Sequence, residues 1–385
     1  MSRLSLLGLH DTIRMSTRFL QMSPFYECFG DHDKLHGQYA GRMVYFGDEK
    51  AEEYWALREQ AVLYDVPERP WEISGPDAVA FMEYLFSRRI SNLEVGRGRY
   101  AVACTPSGGI FMDGIVFRLE SNRFWYVIAD GAFDTWMLAH SDGFDVTITD
   151  PQSWVLQIQG PTSPAVLEAA SEGQINERLG YFHAGFFDLG GQRLYVSRTG
   201  FTGEVGYEIY TQGDETDCPR LWNHLCECGE PHGMVCGSVY SMNARRIEAG
   251  ILNNGTDMDW NMTPYNAGLG DFVDLEKQNF IGRDALLNTP QEQSLYGLVC
   301  KAATPVAGDQ VRDENRVVAN MRTGVWSPTL EAGIGYVHFE EPGNWTGHSV
   351  QLVDDQGVSH PADIVQLPFF DAEKRIPRGL TSASK

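Results

Sequence analysis

Two carboxylates stand where the sequence pattern gives an acid something to do. Ser197 to Tyr210 reads Ser-Arg-Thr-Gly-Phe-Thr-Gly-Glu-Val-Gly-Tyr-Glu-Ile-Tyr, and Gly200, Gly203 and Gly206 demand a tight backbone course. The last five residues alternate like a strand, with Tyr207 and Ile209 on one face and Glu208 and Tyr210 on the other. Glu208 is then either the solvated polar face of a hairpin or a carboxylate aimed into whatever the glycine turn encloses. Asp113 poses a similar choice inside the apolar run Gly109-Ile-Phe-Met-Asp-Gly-Ile-Val-Phe-Arg118: it is solvated at a bulge, or it faces a pocket that wants an acid or a base. Cys218, Cys226, Cys228 and Cys236, with His224 and His232 between them, are metal-binding residue types. They lack paired Cys-x-x-Cys knuckles and fall across a helical stretch, so no metal is expected.

The elements that must hold these acids repeat. Trp71-Glu-Ile-Ser-Gly-Pro runs as a strand into a helix whose apolar face is Val79, Phe81, Met82, Leu85 and Phe86. Trp154-Val-Leu-Gln-Ile-Gln-Gly-Pro leads into a second helix in the same way. Each unit is followed by strand-like segments: Arg99 to Cys104, Gly109 to Arg118 and Phe124 to Ala129 after the first, Tyr181 to Phe187 and Gln192 to Arg198 after the second. Residues 65–245 therefore read as a duplicated α+β unit, whose halves can face each other across a cleft.

Around this repeat, residues 11–46 mix arginines with aromatics as an arm packed on a domain, and residues 48–64 have helical spacing with Asp48 as cap. Cys218 to Gly229 and Val239 to Gly250 read as helices, with Arg245, Arg246 and Glu248 expected as a solvated charge cluster. Ile251 to Tyr265 is a long polar loop of the kind that carries function. A short helix over Gly282 to Leu287 precedes four strands, Leu295 to Cys300, Arg316 to Met321, Gly333 to Phe339 and His348 to Val353, which predict a small C-terminal β-barrel or sandwich. The tail after Arg378 is expected to fray. We divide the chain at 1–150, 151–290 and 291–385.

Composition bounds the function. With 43% hydrophobic and 12% aromatic residues the chain has ample material for buried cores. A net charge of −22 without a basic run argues against nucleic acid, while a few local arginines suffice for a small anionic ligand. No apolar run is long enough to span a membrane, Met1 to His10 is too short for a secretory core, and the seven cysteines are an odd, scattered set. A cytoplasmic protein with free thiols is expected, as a monomer or homodimer.

Several stretches, in order, resemble the T-protein (aminomethyltransferase) superfamily of tetrahydrofolate-dependent enzymes. They are Ala61-Val-Leu-Tyr-Asp-Val66, the two Gly-Pro units, Gly108-Gly-Ile-Phe-Met-Asp113, Gly200-Phe-Thr-Gly-Glu-Val-Gly-Tyr-Glu208, Arg246-Ile-Glu-Ala-Gly250, Thr263-Pro-Tyr to Gly268-Leu-Gly, Phe280-Ile-Gly-Arg-Asp-Ala-Leu286 and Trp326-Ser-Pro-Thr-Leu330. Arg14, Arg18, Ser23-Pro-Phe25, Ile128-Ala-Asp130, Tyr265 and Gly206-Tyr-Glu-Ile-Tyr210 are closer to the dimethylsulfoniopropionate demethylase branch, although Phe201 stands where that branch carries tryptophan.

The resemblance implies a three-domain cloverleaf of α+β class around a folate channel. By position it implies Tyr100, Asp113, Phe182, Phe201, Glu208 and Arg246 as folate contacts. Glu208 would accept from the donor edge of the pterin, and the aromatics would sandwich its rings. Arg246 would orient Glu208 or meet the folate carboxylates. The implied reaction moves a methyl group from a small onium donor to N5 of tetrahydrofolate, with Asp113 and Tyr210 catalytic, Phe201 and Tyr210 on the donor side, and Arg14, Arg18 or Arg42 clamping a donor carboxylate. The alternatives are a glycine-cleavage aminomethyltransferase taking its group from a lipoyl carrier, an aromatic O-demethylase, and a non-enzymatic folate-binding protein of iron-sulfur assembly. The last carries a Lys-Gly-Cys-Tyr-x-Gly-Gln-Glu signature, where this chain has Gln278-Asn-Phe-Ile-Gly-Arg-Asp-Ala285.

Overall fold

The computed structural model describes residues 21–380, apart from 30–35, 40, 46, 48–49, 130, 177 and 315. Arg14, Arg18, Asp48, Asp130 and most of the tail beyond Arg378 lie outside the described residues.

The repeat foreseen from the two Gly-Pro pairs is a repeat of topology. In the first sheet the strand order is Arg97–Cys104, Ile110–Glu120, Arg123–Ile128, Arg69–Ser74 and Thr147–Thr149. In the second it is Ala184–Leu189, Gln192–Ser197, Gly206–Tyr210, Val155–Gln159, Ala61–Val66 and Met234–Cys236. Each half is a strand, a helix and a three-strand meander whose last strand pairs antiparallel with the first. The helices bury matching faces: Ala78, Phe81, Met82 and Leu85 on Ala78–Leu85, and Ser163, Val166, Leu167 and Ala170 on Ser163–Ala170. That spacing is one stripe of an α-helix, and each large apolar side chain so covered contributes about 1.5–3 kcal/mol.

Aromatic packing joins the two sheets. Phe117 and Trp125 of the first meet Tyr195 and Tyr210 of the second, with ring centroids 5.3–5.9 Å apart. Beyond the sheets, strands from Leu295–Cys300 to Ser359–Val365 close a six-stranded barrel. No helix among the described residues is long and apolar enough to cross a membrane.

Four expectations are corrected. The expected helix over 48–64 is Ala51–Glu59, and Ala61–Val66 is a strand of the second sheet, buried along its whole length. An uninterrupted apolar run suits a helix face or a central strand equally, and pairing on both sides decides for the strand. The strand expected from Tyr181 begins only at Ala184, because Phe182 adopts a left-handed conformation with φ 59°. The barrel has two further strands, Gln310–Asp313 and Ser359–Val365, too polar to stand out by alternation. Finally, Arg245, Arg246 and Glu248 are buried rather than solvated.

The described part of the N-terminal arm packs against the second half. Phe25 is fully buried with its ring 6.0 Å from Trp222, and Phe29 lies 4.7 Å from the same ring. Arg42 is buried too, stacked 4.3 Å over Trp154 and donating to the Glu68 carbonyl at 2.7 Å. It holds the backbone there, so it is not free to clamp a substrate carboxylate.

Candidate active site

An open cavity of about 1280 Å³ lies against both sheets, the loop after Gly250 and the segment near Arg378. Its size exceeds what one drug-sized ligand needs and leaves room for two reactants. Tyr100, Asp113, Phe182, Phe201 and Glu208 all line it. Tyr210 and Arg246 do not, and their positions give them other work.

Asp113 sits in Ile110–Glu120 opposite Val102, and the phenol of Tyr100 donates to its Oδ2 at 2.9 Å. Its side chain is partly open to the cavity while protein encloses it elsewhere. Burial raises its pKa to about 6, the Tyr100 and Asn254 side chains work against that, and Asp257 adds to it. Asn254 is a neighbour that no sequence pattern singles out, and it brings its side-chain amide to Asp113 from the loop after Gly250. A carboxyl that titrates near neutrality on a cavity wall can hold or take a proton there.

Glu208 is buried within a polar cage. Its Oε2 accepts from Tyr210 at 2.5 Å, Thr199 at 2.7 Å and Ser197 at 3.4 Å, while Oε1 accepts from Gln157 at 3.2 Å. Gln157 pairs with Glu208 across adjacent strands, which puts both side chains on one face. The same Gln157 amide donates to Glu68 Oε1 at 2.8 Å. Burial raises the pKa of both acids, and the Glu208 charge raises that of Glu68 further.

The glycine turn is shaped by the side chain it encloses. A Cβ at Gly200 would lie 2.0 Å from Gln159 Oε1, and one at Gly206 would lie 2.4 Å from the same amide. Gln159 in turn donates to the Thr199 and Tyr207 carbonyls and accepts from Thr202. Phe201 is thereby turned toward the cavity. Phe182 is held in its left-handed conformation by bonds on both sides, its N–H donating to Arg198 O at 3.0 Å and its carbonyl accepting from Gly98 N at 2.8 Å. Such a backbone persists only when its surroundings over-determine it.

Tyr210 is fully buried, with its ring in the aromatic layer between the sheets and its hydroxyl on Glu208. Arg246 contacts neither Glu208 nor the cavity. It pairs with the buried Asp257 and donates to Asn243 and the Ile251 carbonyl. Asp257 also accepts from Asn253 N at 2.8 Å, so Arg246 holds the loop that carries Asn253, Asn254 and Trp260 to the cavity wall. From the barrel, Arg322 braces that loop at Asp259, 2.6 Å away. A second buried network spans the molecule. Glu204 of the glycine turn takes Arg58 and Arg245, Arg245 takes Glu248, and Glu248 accepts from Tyr54 and from Ser327 of the barrel.

Five cations line the cavity of this acidic chain: Arg88, Arg97, Arg99, Lys374 and Arg378. They come from two stretches, Arg88 to Arg99 and Lys374 to Arg378, neither of which is a basic run. Arg88 is set over the Phe272 ring, 5.1 Å from its centroid, and donates to Tyr100 O at 3.1 Å. The Cys226 and Cys236 sulfurs are 3.8 Å apart and Cys228 lies 3.9 Å from His224. Among the described residues no group of three or more His, Cys, Asp or Glu is arranged to hold a metal ion.

Residues 34–277 match the GCVT N-terminal domain, and residues 293–371 match the glycine cleavage T-protein C-terminal barrel domain. The aminomethyltransferase of Streptomyces avermitilis is 31% identical over 346 residues, covering 86% of this chain and 91% of that protein. The aminomethyltransferase of Bacillus subtilis is 28% identical over 355 residues, covering 87% and 97%. The crystal structure of glycine cleavage system aminomethyltransferase T from Bartonella henselae superposes with a TM-score of 0.81 at 24% identity, over 91% of this chain and 98% of that one. At that identity the likeness speaks for the fold.

Proposed function

Because this chain belongs to the glycine cleavage T-protein family of tetrahydrofolate-dependent transferases, we propose that its cavity moves a one-carbon group from a small donor onto tetrahydrofolate, with Asp113 at the reacting nitrogen. The observation that carries this reading is Asp113 itself, a carboxyl raised to about 6 on the wall of a cavity large enough for two reactants. The residues present fit a folate. Phe182 and Phe201 offer flat apolar faces, the acids at Glu68 and Glu208 offer acceptors to a donor-rich ring, and the five cations suit the anionic glutamyl end.

Tetrahydrofolate supplies the nucleophilic nitrogen when bound. Asp113 Oδ2, held by Tyr100, would orient that nitrogen and take the proton it sheds as its bond to the donor carbon forms and the carbon's bond to the donor's leaving atom breaks, the electron pair staying with that atom. Tyr210 serves as the support of Glu208, and Arg246 as the anchor of the loop that closes one side. Phe201 lines the part of the cavity given to the donor.

For the donor, the relatives named aminomethyltransferase favour aminomethyl transfer. A second form, demethylation of a small onium such as dimethylsulfoniopropionate, is favoured by the net charge of −22, which does not suit the docking of an acidic carrier protein, while Phe201 departs from the tryptophan of that branch. The test is to supply tetrahydrofolate with an aminomethylated lipoyl carrier, sulfonium and betaine donors, and methoxyaryl compounds, and to measure methylene- and methyltetrahydrofolate. Product from one class names the donor. Failure to bind tetrahydrofolate at all would overturn the reading.

A further inference from the structure

Glu208 is the acid that the glycine turn brings to notice, yet most of its accepting capacity is already taken. An ionised carboxylate has about four acceptor sites, two on each oxygen. Three hydroxyls, those of Tyr210, Thr199 and Ser197, converge on Oε2, and the Gln157 amide occupies one side of Oε1. A planar ring edge with two adjacent N–H donors therefore finds one free position on Glu208, at Oε1.

The missing second acceptor stands beside it. Glu68 lines the same cavity and is partly open to it. One of its oxygens accepts from Gln157 Nε2 at 2.8 Å, and the other, Oε2, is shielded from solvent without a partner among the described residues. The fully buried Gln157 thus splits one amide group between two carboxylates, and its own Oε1 has no partner among the described residues. Among the described residues neither acid is in an ion pair with Lys or Arg. Glu68 cannot drift from this place, because it lies at the crossing from Ala61–Val66 in the second sheet to Arg69–Ser74 in the first, with its carbonyl held by the buried Arg42. A buried carboxylate oxygen without a donor costs more than a hydrogen bond gains, so a site that keeps one has a use for it when a ligand is bound.

We propose that Glu68 and Glu208 form one split acceptor, each presenting an oxygen to one of two neighbouring N–H donors on the edge of a planar heterocycle of the 2-aminopyrimidinone class. This rests on the folate reading above and adds to it a residue, Glu68, that decides which ring is taken. Gln157 keys the two carboxylates to each other. The edge would supply the donors that the pair lacks and would lessen the repulsion between its members.

The experiment is a cycle of two proteins and two ligands. Binding of tetrahydrofolate and of its 2-desamino-2-methyl analogue, which lacks the exocyclic donor, is measured by calorimetry for the wild type and for Glu68→Gln. A glutamine cannot accept from Gln157 and from the ligand with the same atoms, since one of its two polar atoms is a donor. The wild type should prefer tetrahydrofolate, and Glu68→Gln should lose about tenfold or more of that preference, the size expected of a hydrogen bond to a charged group, while its affinity for the analogue changes little. Glu68→Gln relieves a like-charge pair, so its thermal midpoint should hold or rise. Glu68→Asp, which withdraws the carboxylate by one methylene, is the second variant and should show the same loss. Full discrimination in both variants overturns the proposal. So does a defect confined to the KM of the one-carbon donor, which would put Glu68 on the donor side. A wild type that binds neither ligand instead overturns the folate reading, and this inference with it.

Discussion

The Tyr100 hydroxyl and the Asp113 carboxylate meet at 2.9 Å between adjacent strands of the first sheet, on the wall of the cavity. The phenol stabilises the charged form of the acid against the burial that raises its pKa to about 6. Removing the donor in Tyr100→Phe should move the acid limb of the rate profile to higher pH. The measurement is kcat/KM for one-carbon transfer across pH 5 to 8, and an unmoved limb would remove Asp113 as the titrating group.

Asp113→Asn should lower single-turnover transfer by roughly 10²-fold or more, the usual size of a lost acid or base, while tetrahydrofolate affinity changes little. The same variant links stability to pH. A carboxyl with a raised folded pKa favours the fold when protonated; that contribution is full below its unfolded value of about 3.9 and is lost as pH rises through about 6. Asp113→Asn should therefore be more stable than the wild type at pH 8, with the advantage shrinking toward pH 4. Denaturant melts at the two pH values check the sign.

Arg246 and Asp257 are both buried and pair with each other. Arg246→Ala leaves the Asp257 carboxylate without its charge partner, and breaking such a pair costs about 3–5 kcal/mol. Because Asp257 organises the loop, hydrogen exchange should quicken first over residues 251–265, before global unfolding. Exchange that quickens uniformly would mean that the pair serves the whole fold rather than the loop.

Lys374 and Arg378 are exposed cations at the edge of the cavity. The double variant Lys374→Ser, Arg378→Ser should raise the KM for tetrahydrofolate several-fold with kcat unchanged, the pattern of lost ground-state binding. The effect should be smaller at high salt, where exposed charges are screened. A fall in kcat instead would bring these residues into the chemistry.

Tyr210→Phe removes the 2.5 Å bond to Glu208 and keeps the ring among Phe117, Trp125 and Tyr195. The fold should survive, less stable by about 1.5–3 kcal/mol for the lost bond to a charged acceptor, and tetrahydrofolate should bind more weakly because Glu208 is less firmly placed. Calorimetry reads this directly, and unchanged affinity would free Glu208 from its dependence on Tyr210.

Local pattern determined much of this protein. The strand, Gly-Pro and helix units were legible because a strand followed by a helix-starting proline needs no distant partner to be read. The alternation of Gly206–Tyr210 put Glu208 and Tyr210 on one face, and the polar composition of residues 251–265 marked a long loop, part of which lines the cavity. Tertiary structure decided the rest, because the deciding contacts join positions that the sequence leaves far apart. Ala61–Val66 became a strand only through pairing on both sides. Arg246 turned to Asp257, and the cavity cations gathered from residues 88–99 and 374–378. Glu68 and Glu208 share Gln157 because the chain crosses between the two sheets at Glu68, so a second acid stands beside the first in a place that no spacing rule could foresee.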